Sequence, residues 1–277
     1  MLPSTSSLRA HVESSLGPNL ASTLLLREKS APSLLPTGIA EFDILTGGLP
    51  RGALSEIIGP VSSGRTGFML SALAQATQRE EACALVDASD CFDPASAATV
   101  GVKLNRLLWI RCGEQERSVR QRTQRSSLGR LEQVLKATDL LLQGGGFGMV
   151  VLDLGDIPPE STRRIPLTSW FRFRRAVEPT ATVLLVVERE ACAKTCASLV
   201  VRLQRTAVCA RDAASPTEED SRGWKVIRRR EPVPPNNAVS HAALLRGMQI
   251  HAEVLRSWTQ RKPMHSVGAD FGLRVAL

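Results

Sequence analysis

The sequence has no run of about 18 apolar residues, the length that a membrane-spanning helix needs, so no membrane span is expected. Its cysteines (Cys83, Cys91, Cys112, Cys192, Cys196 and Cys209) form no C-x-x-C pair, which argues against a zinc site and a disulfide framework. Reduced thiols in a cytoplasmic protein are the expected state. The first residues carry serine and threonine where a secretion signal has a charged start and an apolar stretch. No internal repeat is visible. Acidic residues are in the minority, 27 against 35 lysines and arginines, for a net charge of +8. The basic excess is mostly arginine and suits nucleic acid or another acidic partner, because a guanidinium fork matches phosphate and carboxylate.

What is present is enough apolar residue, 43% of 277, to bury a core. Residues 1–33 form an N-terminal extension in which Leu8, Val12 and Leu16, with Leu20 beyond, recur at i, i+4 spacing, so a short amphipathic helix is expected before Gly17-Pro18 ends it. From 34 to 258 strands and helices alternate. Strands are expected at Leu54–Ile58, Ala82–Val86, Leu107–Ile110, Met149–Asp153 and Thr182–Val187, and helices at Thr66–Gln78, Pro94–Val100, 114–143 and 165–177. Later segments, Leu199–Val208, Trp224–Arg230 and Met248–Leu255, alternate as antiparallel strands do. Residues 259–277 have no strong pattern and are expected to form a tail. The fold class is α/β: a mostly parallel sheet covered by helices, with an antiparallel extension. Ligands of such folds lie at the carboxyl ends of the strands, where Gly59–Thr66, Asp87, Asp153 and Glu188 should face one crevice.

The stretch Gly59-Pro60-Val61-Ser62-Ser63-Gly64-Arg65-Thr66 follows a strand and opens a helix. That is the layout of a phosphate-binding loop, whose backbone N–H groups and helix N-terminus converge on an anion. The loop pattern G-x-x-x-x-G-K-[ST] has arginine, Arg65, where lysine is required. In a working loop the threonine hydroxyl and a strand-end aspartate hold Mg²⁺, roles that Thr66 and Asp153 match. Arg65 keeps the charge but is longer and planar, which leaves three outcomes. They are ATP/Mg²⁺ binding without efficient hydrolysis, binding of an anion alone, or an empty loop with Arg65 paired to a carboxylate such as Asp153. Hydrolysis also needs a group that orients water; Ser89, Asp90 and Glu188 are the candidates, and each can equally be an ordinary strand-end residue. Basic groups Arg163-Arg164, Arg172/Arg174/Arg175 and Arg228-Arg229-Arg230 could track a phosphate backbone. Trp170, Phe171 and Phe173 interleave with the second group and suit single-strand stacking, or a core at helical spacing.

From Leu35 to Cys112 the chain resembles the RecA-type recombinases. The matching residues are Pro36-Thr37-Gly38-Ile39 before Phe42-Asp43, the turn Gly47-Gly48-Leu49-Pro50-Arg51-Gly52, and the loop Glu56-Ile57-Ile58-Gly59-Pro60 through Thr66. Val86-Asp87-Ala88, Asp93-Pro94, Gly101-Val102 and Asn105-Arg106-Leu107-Leu108 continue it, and a weaker likeness runs to about Leu255. The resemblance implies a RecA-like P-loop NTPase core. It also marks departures: Arg65 for the lysine, Ser89 for the water-activating glutamate, Glu188-Arg189 for the Asn-Gln pair that senses the γ-phosphate, and a DNA-gripping loop reduced to about Ala191–Ser198. ATP-driven strand exchange is therefore not expected, nor is a counterpart of the recombinases' C-terminal domain.

A closer resemblance is to the ImuA group of RecA-like mutagenesis proteins, particularly its ImuA-prime type. It rests on Leu108–Cys112, Ala137–Gly148, Val151–Asp156, Arg164-Ile165-Pro166 and Trp170-Phe171. It implies an accessory protein of damage-induced translesion DNA synthesis whose partners are RecA and the polymerase homologue ImuB, with single-stranded DNA as a further partner. The alternative is an active RecA-type ATPase, a recombinase paralogue that binds single-stranded DNA.

Overall fold

Buried, β-branched runs build the centre of the protein. Strand β7 (Val183–Glu188) has no exposed residue, and neither do β3 (Ala53–Ile58), β4 (Cys83–Asp87) and β6 (Met149–Asp153), as expected of strands covered on both faces. A computed structural model describes residues 33–112, 125–210, 245–257 and 267–274. The remaining strands of the main sheet are β5 (Leu107–Arg111), β8 (Leu199–Ala210), β9 (Leu245–Arg256) and β10 (Val267–Arg274). Among the described residues the sheet has eight strands in the order β10-β9-β8-β3-β7-β6-β4-β5. From β8 to β5 all pairings are parallel, and β9 and β10 add antiparallel. A separate two-stranded antiparallel sheet joins β1 (Leu34–Leu35) to β2 (Leu49–Pro50).

The helices are α1 (Ala40–Thr46), α2 (Arg65–Gln78), α3 (Pro94–Val100), α4 (Arg125–Gly144), α5 (Pro159–Thr162) and α6 (Leu167–Val177). Their ends are set locally. The Asp93 carboxylate caps α3 by accepting from Ala95 N at 3.1 Å and Ser96 N at 3.0 Å, with Pro94 in the first turn and left-handed Gly101 at the end. The Asp43 carboxylate in α1 takes the N–H groups of Thr37 and Gly38, which fixes the chain ahead of that helix. Helix α2 has no side-chain cap.

Alternate residues of the central strands enter different cores. Ile57, Val151 and Leu185 pack with Phe68, Met69 and Leu73 of α2. Leu54, Val150, Leu152 and Val186 pack on the opposite face with Leu131 and Val134 of α4 and with Trp170 and Phe173 of α6. Strand period thus decides which face each strand-end carboxylate serves.

One expectation changes. Residues 267–274, expected within a tail, form β10, whose Phe271 is buried in the α2-side core opposite Ile250 of β9. The expected apolar alternation is short there, and pairing to β9 supplies what the sequence pattern does not. The expected helix within residues 1–33 and the strand Trp224–Arg230 lie outside the described residues. Among the described residues no helix is long and apolar enough to cross a membrane.

Candidate phosphate-loop site

The turn after β3 is shaped by backbone geometry that few residues tolerate. Ser62 and Gly64 adopt positive φ, +60° and +93°. A Cβ on Gly59 would lie 2.4 Å from the Leu203 carbonyl oxygen, so glycine is required there. Gly59 N–H donates to Glu188 O at 3.2 Å and Ser63 N–H to Pro60 O at 3.2 Å, which ties the loop to β7 and closes it on itself. Helix α2 starts at Arg65 behind the left-handed Gly64, and the lack of a side-chain cap leaves its first N–H groups for an anion. This frame fits a phosphate group. Ser63 Oγ is buried without a partner beside it.

A cleft of about 190 Å³ opens beside the loop. Arg65, Thr66, Asp153, Gly155 and Asp156 line it on one side, and Cys91, Phe92 and Asp93 on the other. Thr66 is exposed to the cleft and Asp153 follows Val151 onto the same face of the sheet. Together they could hold Mg²⁺. Burial pushes the Asp153 carboxyl up to about 6, against the bond it accepts from Gly155 N at 2.9 Å; Asp87 raises it further and Arg65 lowers it.

Arg65 does not extend over the loop. Its side chain is almost wholly buried, and Nη1 and Nη2 both lie 3.4 Å from the Gly155 carbonyl oxygen. Arg189 Nε donates to the same oxygen at 3.0 Å, and its Nη2 lies 3.9 Å from Asp156. Burial pulls the Arg65 pKa down, while Asp153 and Asp156 oppose that shift. The Arg65 fork meets the backbone of the turn after β6 and not the Asp153 carboxylate offered as its partner.

The other expected groups separate. The Asp87 carboxylate accepts from Ser89 N, Phe92 N and Trp109 Nε1, so it clamps the loop after β4. Asp90 forms a two-pronged pair with Arg111 at 2.6 and 2.7 Å, which removes it from water orientation. Ser89 is partly buried and does not line the cleft. Glu188 was expected to face the crevice and does not. It follows Leu184 and Val186 onto the α4/α6 face, where it is 1% exposed beside Glu56. The side-chain period of two sends Val187, not Glu188, to the cleft. The short loop Ala191–Ser198 packs inward through Cys192, Ala193, Cys196 and Ala197, and Arg256 of β9 binds the carbonyls of Lys194 and Ala197.

The candidate nucleic-acid residues are only partly free. Arg163 pairs with Glu190 and Arg172 with Asp139, while Arg164 and Arg175 are exposed and Arg174 is half-buried. Trp170 and Phe173 are fully buried edge-to-face partners with centroids 5.9 Å apart, and Phe171 alone of the three aromatics reaches solvent. Arg228, Arg229 and Arg230 lie outside the described residues. Sequence reasoning missed the approach of Glu56 to Glu188. The available signal was a glutamate inside a buried strand, at the same side-chain parity as a strand-end glutamate.

A phosphate-type loop between a central strand and its helix, facing an aspartate at the end of another parallel strand, defines an α/β core of the RecA-like P-loop class. The chain belongs to the RecA N-terminal domain family, which residues 10–157 match. It is 36% identical over 122 residues to protein RecA of Ectopseudomonas oleovorans, covering 43% of this chain and 30% of that one. Protein RecA of Rickettsia canadensis is 32% identical over 146 residues, covering 52% and 38%, and that of Methylococcus capsulatus is 38% identical over 122 residues, covering 43% and 30%. The chain thus spans about a third of the length of these relatives.

Proposed function

We propose that this chain is a RecA-fold accessory protein of DNA-damage-induced translesion synthesis, of the ImuA or ImuA-prime type, and that it acts in the cytoplasm by binding partner proteins. The observation that carries the reading is the position of Arg65. The cation that should bridge the outer phosphates is buried against the Gly155 carbonyl, and none of Ser89, Asp90 and Glu188 lines the cleft. The loop keeps the donor geometry for a phosphate, so ATP with Mg²⁺ or a smaller anion binds and stays unhydrolysed. Partners of the ImuB and RecA kinds would meet the surface outside the loop, and single-stranded DNA would meet the exposed Arg164 and Arg175 side. A pull-down of the full chain with RecA and an ImuB-like polymerase homologue tests this reading. Capture of either partner by wild type, retained in Arg65→Ala, is expected; capture of neither overturns it.

A second reading, an active RecA-type ATPase or recombinase paralogue, is favoured by one observation. Thr66 and Asp153 still share the cleft and could hold Mg²⁺. Phosphate release on addition of ATP separates the two readings.

A further inference from the structure

Behind the loop, on the sheet face turned towards α4 and α6, two carboxylates meet in the interior. Glu56 of β3 is 0% exposed and Glu188 of β7 is 1% exposed, and each leaves one buried oxygen, Oε2, without a hydrogen-bond partner. Their other oxygens are held by the chain that follows β7. Cys192 N–H donates to Glu56 Oε1 at 2.9 Å and to Glu188 Oε1 at 3.2 Å, and Ala193 N–H donates to Glu56 Oε1 at 2.6 Å. The Cys192 thiol also faces this pair. One ligand atom from each of Glu56, Glu188 and Cys192 lies within 4.8 Å of the others. Two buried carboxylates repel each other and cost several kcal/mol unless a positive charge or a proton joins them. A shared proton would join the carboxylates, with the thiol hydrogen-bonded to Glu188; a cation would instead draw on all three groups at once.

We propose that Glu56, Glu188 and Cys192 form a binding site for a soft divalent cation of the zinc class. One oxygen from each glutamate and the Cys192 sulfur supply two hard and one soft donor, a set that suits zinc or cobalt(II) better than Mg²⁺ or Ca²⁺. Ligand atoms around a tetrahedral zinc stand roughly 3.5 Å apart, so the cluster closes by about an ångström on binding. The cation displaces the thiol proton and any proton shared by the carboxylates, so binding releases protons. The backbone donors at Cys192 and Ala193 orient the carboxylates as outer-shell partners do. Such a cation would fasten β3, β7 and the short Ala191–Ser198 loop together. The site lies on the other face of the sheet from Thr66 and Asp153.

The test uses the full, reduced chain freed of metal with a chelator, then titrated with cobalt(II). One equivalent of cobalt should give a sulfur-to-cobalt charge-transfer band that zinc abolishes. Cys192→Ser and Glu188→Gln, shown to be folded by circular dichroism, should lose the band, and Cys91→Ser should keep it. Absence of the band in the wild-type chain, or its survival in folded Cys192→Ser, overturns the proposal. X-ray absorption of the zinc-loaded wild-type chain needs no variant. One sulfur with oxygen neighbours supports the site, and a shell without sulfur or with several sulfurs overturns it.

Discussion

Arg65 and Arg189 converge on a single acceptor, the carbonyl oxygen of Gly155, at 3.4 Å and 3.0 Å. Arg65 starts the helix behind the phosphate-type loop and Arg189 follows β7, so two strand ends are tied to the turn after a third. A lysine at 65 could not reach this oxygen with a planar fork, and its compact ammonium would be free to approach the loop.

Arg65→Lys should therefore strengthen binding of a fluorescent ATP analogue. A charge-assisted hydrogen bond to phosphate is worth about 1.5–3 kcal/mol, which amounts to at least a tenfold change in affinity. A titration of both chains with the analogue and Mg²⁺ measures it. Unchanged or weaker binding would show that the loop, not residue 65, limits the site.

Asp153 sets a pH dependence. Its folded value of about 6 lies above the ordinary 3.8, so the folded protein holds this proton more tightly than the unfolded chain. Stability from that proton is complete below the ordinary value, declines as pH rises through about 6, and is absent above it. Mg²⁺ needs the ionised carboxylate, so Mg²⁺-dependent nucleotide binding should strengthen from pH 5 to 7, roughly the span of one titration. Calorimetry at several pH values should find this rise in wild type and lose it in Asp153→Asn.

Glu188 should make the chain less stable in alkali. Burial, followed by the nearby Glu56, raises its pKa above the ordinary carboxyl range, so the folded state keeps a proton that the unfolded chain releases. Stability therefore falls as pH climbs from the ordinary glutamate value of about 4.5 through the raised one. Glu188→Gln keeps the shape and gives Glu56 a permanent donor. In chelator, at pH 8, it should raise stability by about 1–4 kcal/mol in urea unfolding, because folding no longer has to take up that proton.

Two aromatics on α6 differ in what they hold. Phe173→Ala opens a cavity in the α4/α6 core and should cost about 3–5 kcal/mol, whereas exposed Phe171→Ala should change stability by about 0.5 kcal/mol or less. If the exposed ring stacks on a base, Phe171→Ala should weaken single-stranded DNA binding without altering the slope of affinity against salt. Fluorescence anisotropy across a salt series separates that from loss of a phosphate contact in Arg164→Ala, which flattens the slope.

The parallel core was legible because buried strands and helical runs announce themselves. Val183–Glu188 and Met149–Asp153 are apolar up to their terminal carboxylates, and Asp93-Pro94 and Gly101 bracket a helix. The loop was legible because Gly59 and Gly64 answer a backbone requirement that other residues meet poorly. Side-chain direction was harder to read. Placing Asp153 and Glu188 together treated all strand ends alike, although each residue's parity with its own strand sends them to opposite faces. Long-range pairings such as Asp90 with Arg111 depend on strand neighbours that the order along the chain does not reveal. Strand β10 escaped notice because its pairing with β9, and not its own pattern, defines it.

The central claim is that the loop still accepts a phosphate ligand but no longer drives a motor. Phosphate release under single-turnover conditions, with ATP, Mg²⁺ and the chain in excess over nucleotide, tests it most directly. The prediction is analogue binding without phosphate release beyond the level of Asp153→Ala. Release in the wild-type chain that Asp153→Ala abolishes would contradict it.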